Sequence, residues 1–468
     1  MNSFCDLIIR NGNVFYKNKL QKVNIAIKKG KIIKISKNLN NINSKKIINA
    51  ANQLIIPGVI DIHFHIRAPS FPNRGTVKSE TMAAAKGGVT TLFEMPISDP
   101  CTSSPKTLKK RKEHFLKKSY INFGFISAIG KLNNKNLNGL LKEGAIAFKI
   151  FTISPPPNRQ SEFDGLCFVK EEEIFRALMH AKKSNLVIIF HAEDQELLNY
   201  FKKEEKKFSK SDPRQHNATR PPITEALAIS KILTINSVVN AKIHIAHVTS
   251  SSAASIISYF QKQGQDVTAE TCPHYLFKSE KDVVKYHAFG KINPPIRDEK
   301  EKKALWKAIN KNILTIVASD HASFNLKEKI KGVKNFSSAP PGTPGGELLL
   351  PLIMNAVKAN KINLEKAINL LCKNPSKRFG LFPRKGIIEK GSDADIVIYN
   401  KNEKWKINEK NLVTKGKSCA HLYYGDTIKG KVKMTIINGE IVYDTNKFYK
   451  IKDKNLYVDS NYKKALNG

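Results

Sequence analysis

The sequence predicts an α/β protein, a parallel (β/α)8 barrel of the TIM type with a small β-sandwich built from the two ends of the chain. Three observations predict it. Between Leu54 and Asp320, eight short apolar runs alternate with helix-patterned segments, as a closed parallel sheet requires. No glycine-rich phosphate loop follows any of these runs, which argues against an open doubly wound sheet. The polar residues of the runs fall at their ends, where a barrel of this kind carries its chemistry.

Residues 1–53 read as short strands, Asp6 to Arg10, Val23 to Ile27 and Ile32 to Ile35, with Asn-Gly and Lys-Gly turns between them. They are too few to bury a core alone and need a partner sheet. Residues 54–380 form the barrel. Its first strand grows out of the apolar run Leu54 to Ile60, broken only by Pro57-Gly58. The others are expected at Val89 to Met95, Ile121 to Ile126, Ala145 to Phe151, Leu186 to His191, Ile243 to Val248, Val267 to Thr271 and Leu314 to Ser319. Helical periodicity separates most of them, as in Thr76 to Lys86, Glu171 to Lys183, Thr224 to Leu233, Ser251 to Lys262 and Glu299 to Asn310. Residues 381–449 include a hairpin, Thr435 to Val442, turning at Asn438-Gly439. Its strands are expected to complete the sandwich with the N-terminal ones. Residues 450–468 carry little apolar content and are expected to be loosely ordered.

Lys and Arg number 79 against 40 Asp and Glu, a formal charge of +39. The basic residues are scattered and nearly all Lys, in an Asn- and Ile-rich background, with no Arg-rich stripe or aromatic-basic alternation. Compositional bias explains this charge better than a nucleic-acid partner does, and some attraction for small anions comes with it. The six cysteines lie far apart without a CxxC pair, which fits reduced thiols in a cytoplasmic protein. No secretory signal pattern opens the chain, and no stretch reads as long enough to span a membrane. A soluble protein without a membrane partner is the expectation.

The chemistry-bearing residues sit at strand ends. His63 and His65 are two apart, so on a strand they share a face and can offer two imidazoles to one ion, with Arg67 next on that face. The alternative is a pair of histidines without a ligand role. His191 ends one strand, Asp320 another, and His247 follows Ile243 to Ala246 in a third. His244 and His247 are three apart, so they are expected on opposite faces, His247 inward and His244 packed outside. Lys149 is flanked by Phe148 and Ile150, where an ammonium is costly to bury unpaired. It is either one half of a buried ion pair or a neutral amine that has captured CO2. The resulting carbamate could bridge two cations about 3.5–4 Å apart. Four histidines and an aspartate at neighbouring strand ends favour the carbamate.

Taken together, Pro57 to His65, Gly87 to Thr91, Phe148-Lys149, His191-Ala192-Glu193, His247 to Ser250, Glu270 to Leu276, Pro294 to Arg297 and Ser319-Asp320-His321 resemble the cyclic amidohydrolases: dihydroorotases, allantoinases and hydantoinases (dihydropyrimidinases). The similarity runs over nearly the whole chain, and Lys385 to Ile398 resembles the strand-rich segment that follows the barrel in these enzymes. The resemblance implies that His63, His65, Asp320 and carbamylated Lys149 hold one divalent ion, usually Zn2+. Lys149, His191 and His247 would hold the second. A hydroxide bridging the ions would attack the ring amide, with Asp320 as acid and base. Relatives are commonly dimers or tetramers, so a homo-oligomer is expected.

For substrate, the resemblance assigns Arg67, Asn293, Ala339 and Gly342. In dihydroorotases the residue matching Arg67 holds a carboxylate, a task suited to a guanidinium, though a structural salt bridge at the barrel mouth is the alternative. Other positions depart from that pattern. Ile97 follows Met95-Pro96 where dihydroorotases carry Asn, and Ser323-Phe324 stand where Pro-His is frequent. Hydantoinase contacts are missing too, with Ser154 for a tyrosine and Pro341 for an asparagine. Arg220-Pro221-Pro222 with Glu225, and Glu270 to Pro273, lean towards hydantoinases and allantoinases. The expectation is a zinc-dependent hydrolase of a small, anionic cyclic amide, with dihydroorotate to N-carbamoyl-aspartate first and an allantoinase or hydantoinase activity second. A catalytically inactive scaffold is the reading from another class, and the filled ligand positions oppose it. The long loop Ala322 to Gly346, with Lys327, Lys329, Lys331 and Lys334, is expected to close over the anion.

Overall fold

The structure is a computed structural model that describes residues 3–451 and 455–459. Seven strands, Val59–His65, Val89–Glu94, Asn122–Ala128, Ala147–Phe151, Val187–His191, Ile243–Ile245 and Val267–Thr271, pair in chain order and all in parallel. The eighth position is divided. Ile316–Val317 pairs with Val267–Thr271, and His321–Ala322 pairs with Val59–His65 to close the ring. The break falls at Asp320, whose backbone is left-handed at φ +44° and cannot continue a strand. Ser319 accordingly gives its N–H to the Asp61 carboxylate, at 3.0 Å, instead of to a neighbouring strand.

A bulge in the first strand sets up the site. Between Asp61 and Phe64 this strand advances three residues while its partner advances two, from Leu92 to Glu94. Such an inserted residue re-aims the side chains beyond it. Ile60 and Ile62 therefore join Phe93, Ile126, Ile189, Ile316 and Phe379 in the apolar filling of the barrel, while His63 and His65 turn to the mouth. Outside, the helices Val77–Lys86, Pro105–Leu116, Asn134–Glu143, Glu171–Ser184, Pro222–Val239, Ser251–Lys262, Glu299–Asn310 and Leu349–Lys358 follow the eight strand positions in turn. Their apolar faces pack on the outward strand residues, among them Phe148, Ile188 and Phe190.

The two chain ends form the expected sandwich. One sheet has the order Lys31–Ser36, Asn24–Lys28, Ser3–Arg10, Ile42–Asn49. The other includes Thr427–Ile437, Ile396–Lys406, Leu54–Pro57 and Asn13–Tyr16 as neighbours. Leu7, Ile9, Ile25, Ile27, Ile55, Ile396 and Ile436 fill the space between them. Leu54–Pro57 thus belongs to the sandwich, antiparallel to Ile396–Lys406, and the chain enters the barrel at Gly58. A Cβ there would lie 2.1 Å from Thr90 Oγ1, so only glycine permits the crossing.

Two expectations are corrected. Of the C-terminal tail, residues 455–459 are docked: Phe123 N–H donates to the Leu456 carbonyl and Val458 N–H to that of Phe123, at 2.9 and 2.8 Å. Tyr457 Oη donates to the Gly144 carbonyl at 2.7 Å, so aromatic packing and backbone pairing order a segment poor in aliphatic residues. Residues 452–454 and 460–468 lie outside the described residues. One stretch, 215–239, is in fact long and apolar enough to cross a membrane, but half of it is buried inside the protein. Its apolar length reflects Ile229, Ile232 and Leu233 packing on the barrel.

Candidate metal centre and substrate cavity

The metal-ligand candidates converge at the barrel mouth. His63 Nε2 and His65 Nε2 lie 3.3 and 3.5 Å from Asp320 Oδ1, and the three residues offer ligand atoms within 4.8 Å of one another. His63 Nδ1 meets Glu270 Oε1 at 2.5 Å. That carboxylate fixes the proton on Nδ1 and leaves the Nε2 lone pair facing Asp320. Burial pulls His65 to about 3, despite its contact with Asp320, so its imidazole is neutral and able to ligate.

A second pair completes the cluster. His191 Nδ1 and His247 Nε2 are 2.9 Å apart, with ring centres at 4.6 Å. His191 Nε2 faces Glu193 Oε2 at 2.8 Å, and Arg220 Nη1 clamps the same carboxylate at 2.5 Å. The proton is thus assigned to Nε2, leaving Nδ1 as an acceptor. Lys149, on the strand beside that of His191, is fully buried, its Nζ without a hydrogen-bond partner. Burial lowers its ammonium to about 8 against the opposing pull of Glu270 and Asp320. Convergent lone pairs facing a carboxylate, beside a buried unbonded amine, fit a cation-binding site.

Asp320 at φ +44°, His247 at +37° and Arg67 at +59° are all left-handed. Non-glycine residues there store about 1–3 kcal/mol of strain each, which the surrounding packing must hold. All three lie at or just past strand ends, where the turn directs the side chain over the barrel axis.

The comparisons agree with this geometry. The amidohydrolase family profile matches residues 54–442. The chain belongs to the amidohydrolase family. It is 34% identical to a dihydroorotase of Methanosarcina mazei over 403 residues, covering 84% of this chain and 85% of that protein. It is 32% identical to a probable allantoinase of Dictyostelium discoideum over 477 residues, covering 95% and 91%. The structure of an L-hydantoinase (dihydropyrimidinase) from Arthrobacter aurescens superposes with a TM-score of 0.90 at 25% identity, covering 97% of this chain and 99% of that one. This amidohydrolase is therefore a hydrolase of C–N bonds in cyclic amides, with the His-His-Asp metal site of its family.

Above the metal centre of this amidohydrolase lies a cavity of about 100 Å³, lined by the four histidines and Asp320 with Arg67, Ile97, Arg159, Asn293, Phe324 and Gly342. Arg67 is buried, and its Nε and Nη1 have no hydrogen-bond partner. Its backbone N–H, not its side chain, takes Glu94, whose carboxylate is bonded to Arg111. Asn293 turns a buried, unbonded Oδ1 towards the same space. Gly342 has φ +138°, and a Cβ on it would meet Ala322 and Phe324 at under 3 Å. Ala339 is elsewhere: it packs against Gly332, outside the cavity lining.

One further expectation fails. His244 does not pack outside the barrel. Its Nε2 meets Glu270 Oε2 at 3.1 Å and its ring packs on Phe379 in the interior. The strand ends at Ile245 and the chain turns at His247, so both histidines point inward at different heights. In the loop after the eighth strand, none of Lys327, Lys329, Lys331 and Lys334 lines the cavity. This loop carries the helix Leu326–Lys334, in which Lys329 is buried, bonded to the carbonyls of Ala288 and Lys291, while the other three lysines are exposed. Sequence reasoning also missed Glu193, Glu270 and Arg220 as supports of the histidines, and Arg159 as a cavity residue. Glu193 and Glu270 had a signal, each standing in a motif beside a metal-ligand candidate or on the same sheet.

Proposed function

We propose that this chain is a two-metal cyclic amidohydrolase acting on a ring that bears a carboxylate, with dihydroorotate, opened to or closed from N-carbamoyl-aspartate, as first candidate. His63, His65 and Asp320 would hold one ion, His191 and His247 the other, and carbamylated Lys149 would join them; the nitrogen-and-oxygen donor set suits zinc. When bound, the ions supply a water acidic enough to attack near neutral pH and polarise the ring amide. Asp320, on the cavity wall, accepts the proton of the attacking water and returns it to the departing ring nitrogen. Glu270 and Glu193 keep His63 and His191 in the ligating tautomer throughout.

The observation that carries the choice of substrate is Arg67. A buried guanidinium with unbonded Nε and Nη1 is costly unless an anion arrives, and a ring carboxylate takes both in a fork. The residues that leaned towards hydantoinases act behind the histidines: Glu270 on His63 and His244, Arg220 on Glu193. They do not discriminate between rings. Ile97 on the cavity wall favours the second reading, an uncharged ring as in allantoinases or hydantoinases.

Assaying zinc-loaded protein against dihydroorotate, allantoin and dihydrouracil tests this. Dihydroorotate is expected to be turned over, with Arg67→Met lowering kcat/KM by about a hundredfold, mostly through KM. Turnover of only the uncharged rings, indifferent to Arg67→Met, would refute it.

A further inference from the structure

Resting on the reading that the ring carries a carboxylate, we propose that Arg159 is a second guanidinium grip on that carboxylate, reaching it from the loop after the fourth strand, and so determines specificity for a monoanionic ring. Arg159 stands in the loop after the fourth strand and lines the same cavity as Arg67, together with Ile153, Pro156 and Phe163 of its own loop. Its Nε and Nη2 donate to Glu162 Oε1 and Oε2 at 2.7 Å each. That fork fixes the plane of the guanidinium, and among the described residues Nη1 has no hydrogen-bond acceptor. The group lies over the Phe163 ring at 5.1 Å, and Phe163 is itself a cavity residue. Arg67 is held in the same manner, over Phe324 at 4.8 Å, with Arg74 over that ring at 4.9 Å. Aromatic faces thus position both guanidiniums without consuming the donors a carboxylate needs.

Charge around the cavity points to one carboxylate and not two. Arg159 is paired with Glu162, Arg74 with Glu328 and Arg111 with Glu94. Of these arginines and Arg67, only Arg67 has no carboxylate partner among the described residues. The guanidiniums of Arg67 and Arg159 line one cavity, and a single incoming carboxylate balances the unpaired one. The polar contact missing at Ile97, on the wall after the second strand, is supplied in this arrangement by the loop after the fourth.

The test compares dihydroorotate with dihydrouracil, the same ring without the carboxylate, in zinc-loaded wild type, Arg159→Met, Arg159→Lys and Arg67→Met. The ratio of kcat/KM for the two rings is expected to fall at least about tenfold in Arg159→Met, through KM for dihydroorotate, and to stay low in Arg159→Lys, which cannot form the fork. Zinc content and melting temperature report on folding. Arg159→Gln, which can still hydrogen-bond Glu162, replaces the methionine variant if that one fails to fold. A ratio within twofold of wild type in the Arg159 variants, alongside a collapse in Arg67→Met, would overturn the second grip and leave the anionic-ring reading intact. A wild type that opens dihydrouracil but not dihydroorotate would overturn both.

Discussion

Glu270→Gln tests the metal centre at its least exposed support. The glutamate is buried, with Oε1 on His63 Nδ1 at 2.5 Å and Oε2 on His244 Nε2 at 3.1 Å. Glutamine keeps the volume but has one acceptor oxygen and one NH2. If the NH2 turns to His63, the imidazole must accept there, its proton moves to Nε2, and the ligating lone pair is lost. If the NH2 turns to His244, His63 keeps its tautomer but exchanges a charged acceptor for a neutral one, a loss of about 1–1.5 kcal/mol. Removing such a partner of a metal-ligating histidine typically costs about 10- to 100-fold in metal affinity. That is about 1.4–2.7 kcal/mol, larger than the neutral-acceptor loss alone and consistent with a mixture of both orientations. Apoprotein titrated with zinc against a chromophoric chelator near neutral pH measures it, with thermal unfolding as the control for folding. A folded Glu270→Gln protein that binds zinc within twofold of wild type would refute the tautomer argument.

Two other outcomes are expected. Protein loaded with zinc in 13C-bicarbonate should show a carbamate carbon resonance that Lys149→Arg lacks, and the variant should bind less zinc; a wild type without the resonance under excess zinc and bicarbonate would remove the carbamate. Lys329 is fully buried, and burial lowers its ammonium from the ordinary 10.5 to about 7. The unfolded chain takes up that proton at the higher value, so between the two the unfolded state holds more protons and wild-type stability rises with pH. Below about pH 7 the full penalty is present, on the order of a few kcal/mol. Lys329→Met should flatten the rise of melting temperature with pH across this window, and parallel profiles for the two proteins would exclude the effect.

The fold and the His-His-Asp site were legible because both depend on local pattern. Strand-end histidines need only a period of two and a count of strands, and His63, His65, His191, His247 and Asp320 line one cavity at the mouth. What was illegible depends on where the pattern breaks. The bulge after Asp61 and the turn at His247 each shift the alternation of faces, and the second of these put His244 on the wrong side. Long-range pairing was equally hidden. Glu270 lies 207 positions from His63, and no spacing rule connects them. Arg159 sits in a proline-rich loop without periodicity, where only the folded chain brings it into the cavity that Arg67 lines. Ala339 and Gly342 are neighbours in sequence, yet a left-handed glycine enters the cavity wall and the alanine packs behind it.

The distribution of unbonded charge carries the functional argument further than the ligand set does. Near the site, each buried carboxylate has a partner: Asp61 takes Ser319 N–H, Glu94 takes Arg111, Glu193 takes Arg220 and Glu270 takes two histidines. Two buried cationic side chains do not, Lys149 and Arg67. A chain selected for stability alone would not keep both, since an unbonded buried charge costs several kcal/mol. On the reading proposed here each is completed by an acid from outside, CO2 on the amine and the ring carboxylate on the guanidinium. The overall charge of +39 does not account for them, because it comes from lysines scattered along the chain. It follows that Arg67→Met should stabilise the ligand-free protein while weakening substrate binding, and a lower melting temperature in that variant would show that Arg67 is held by the fold and not kept for a ligand.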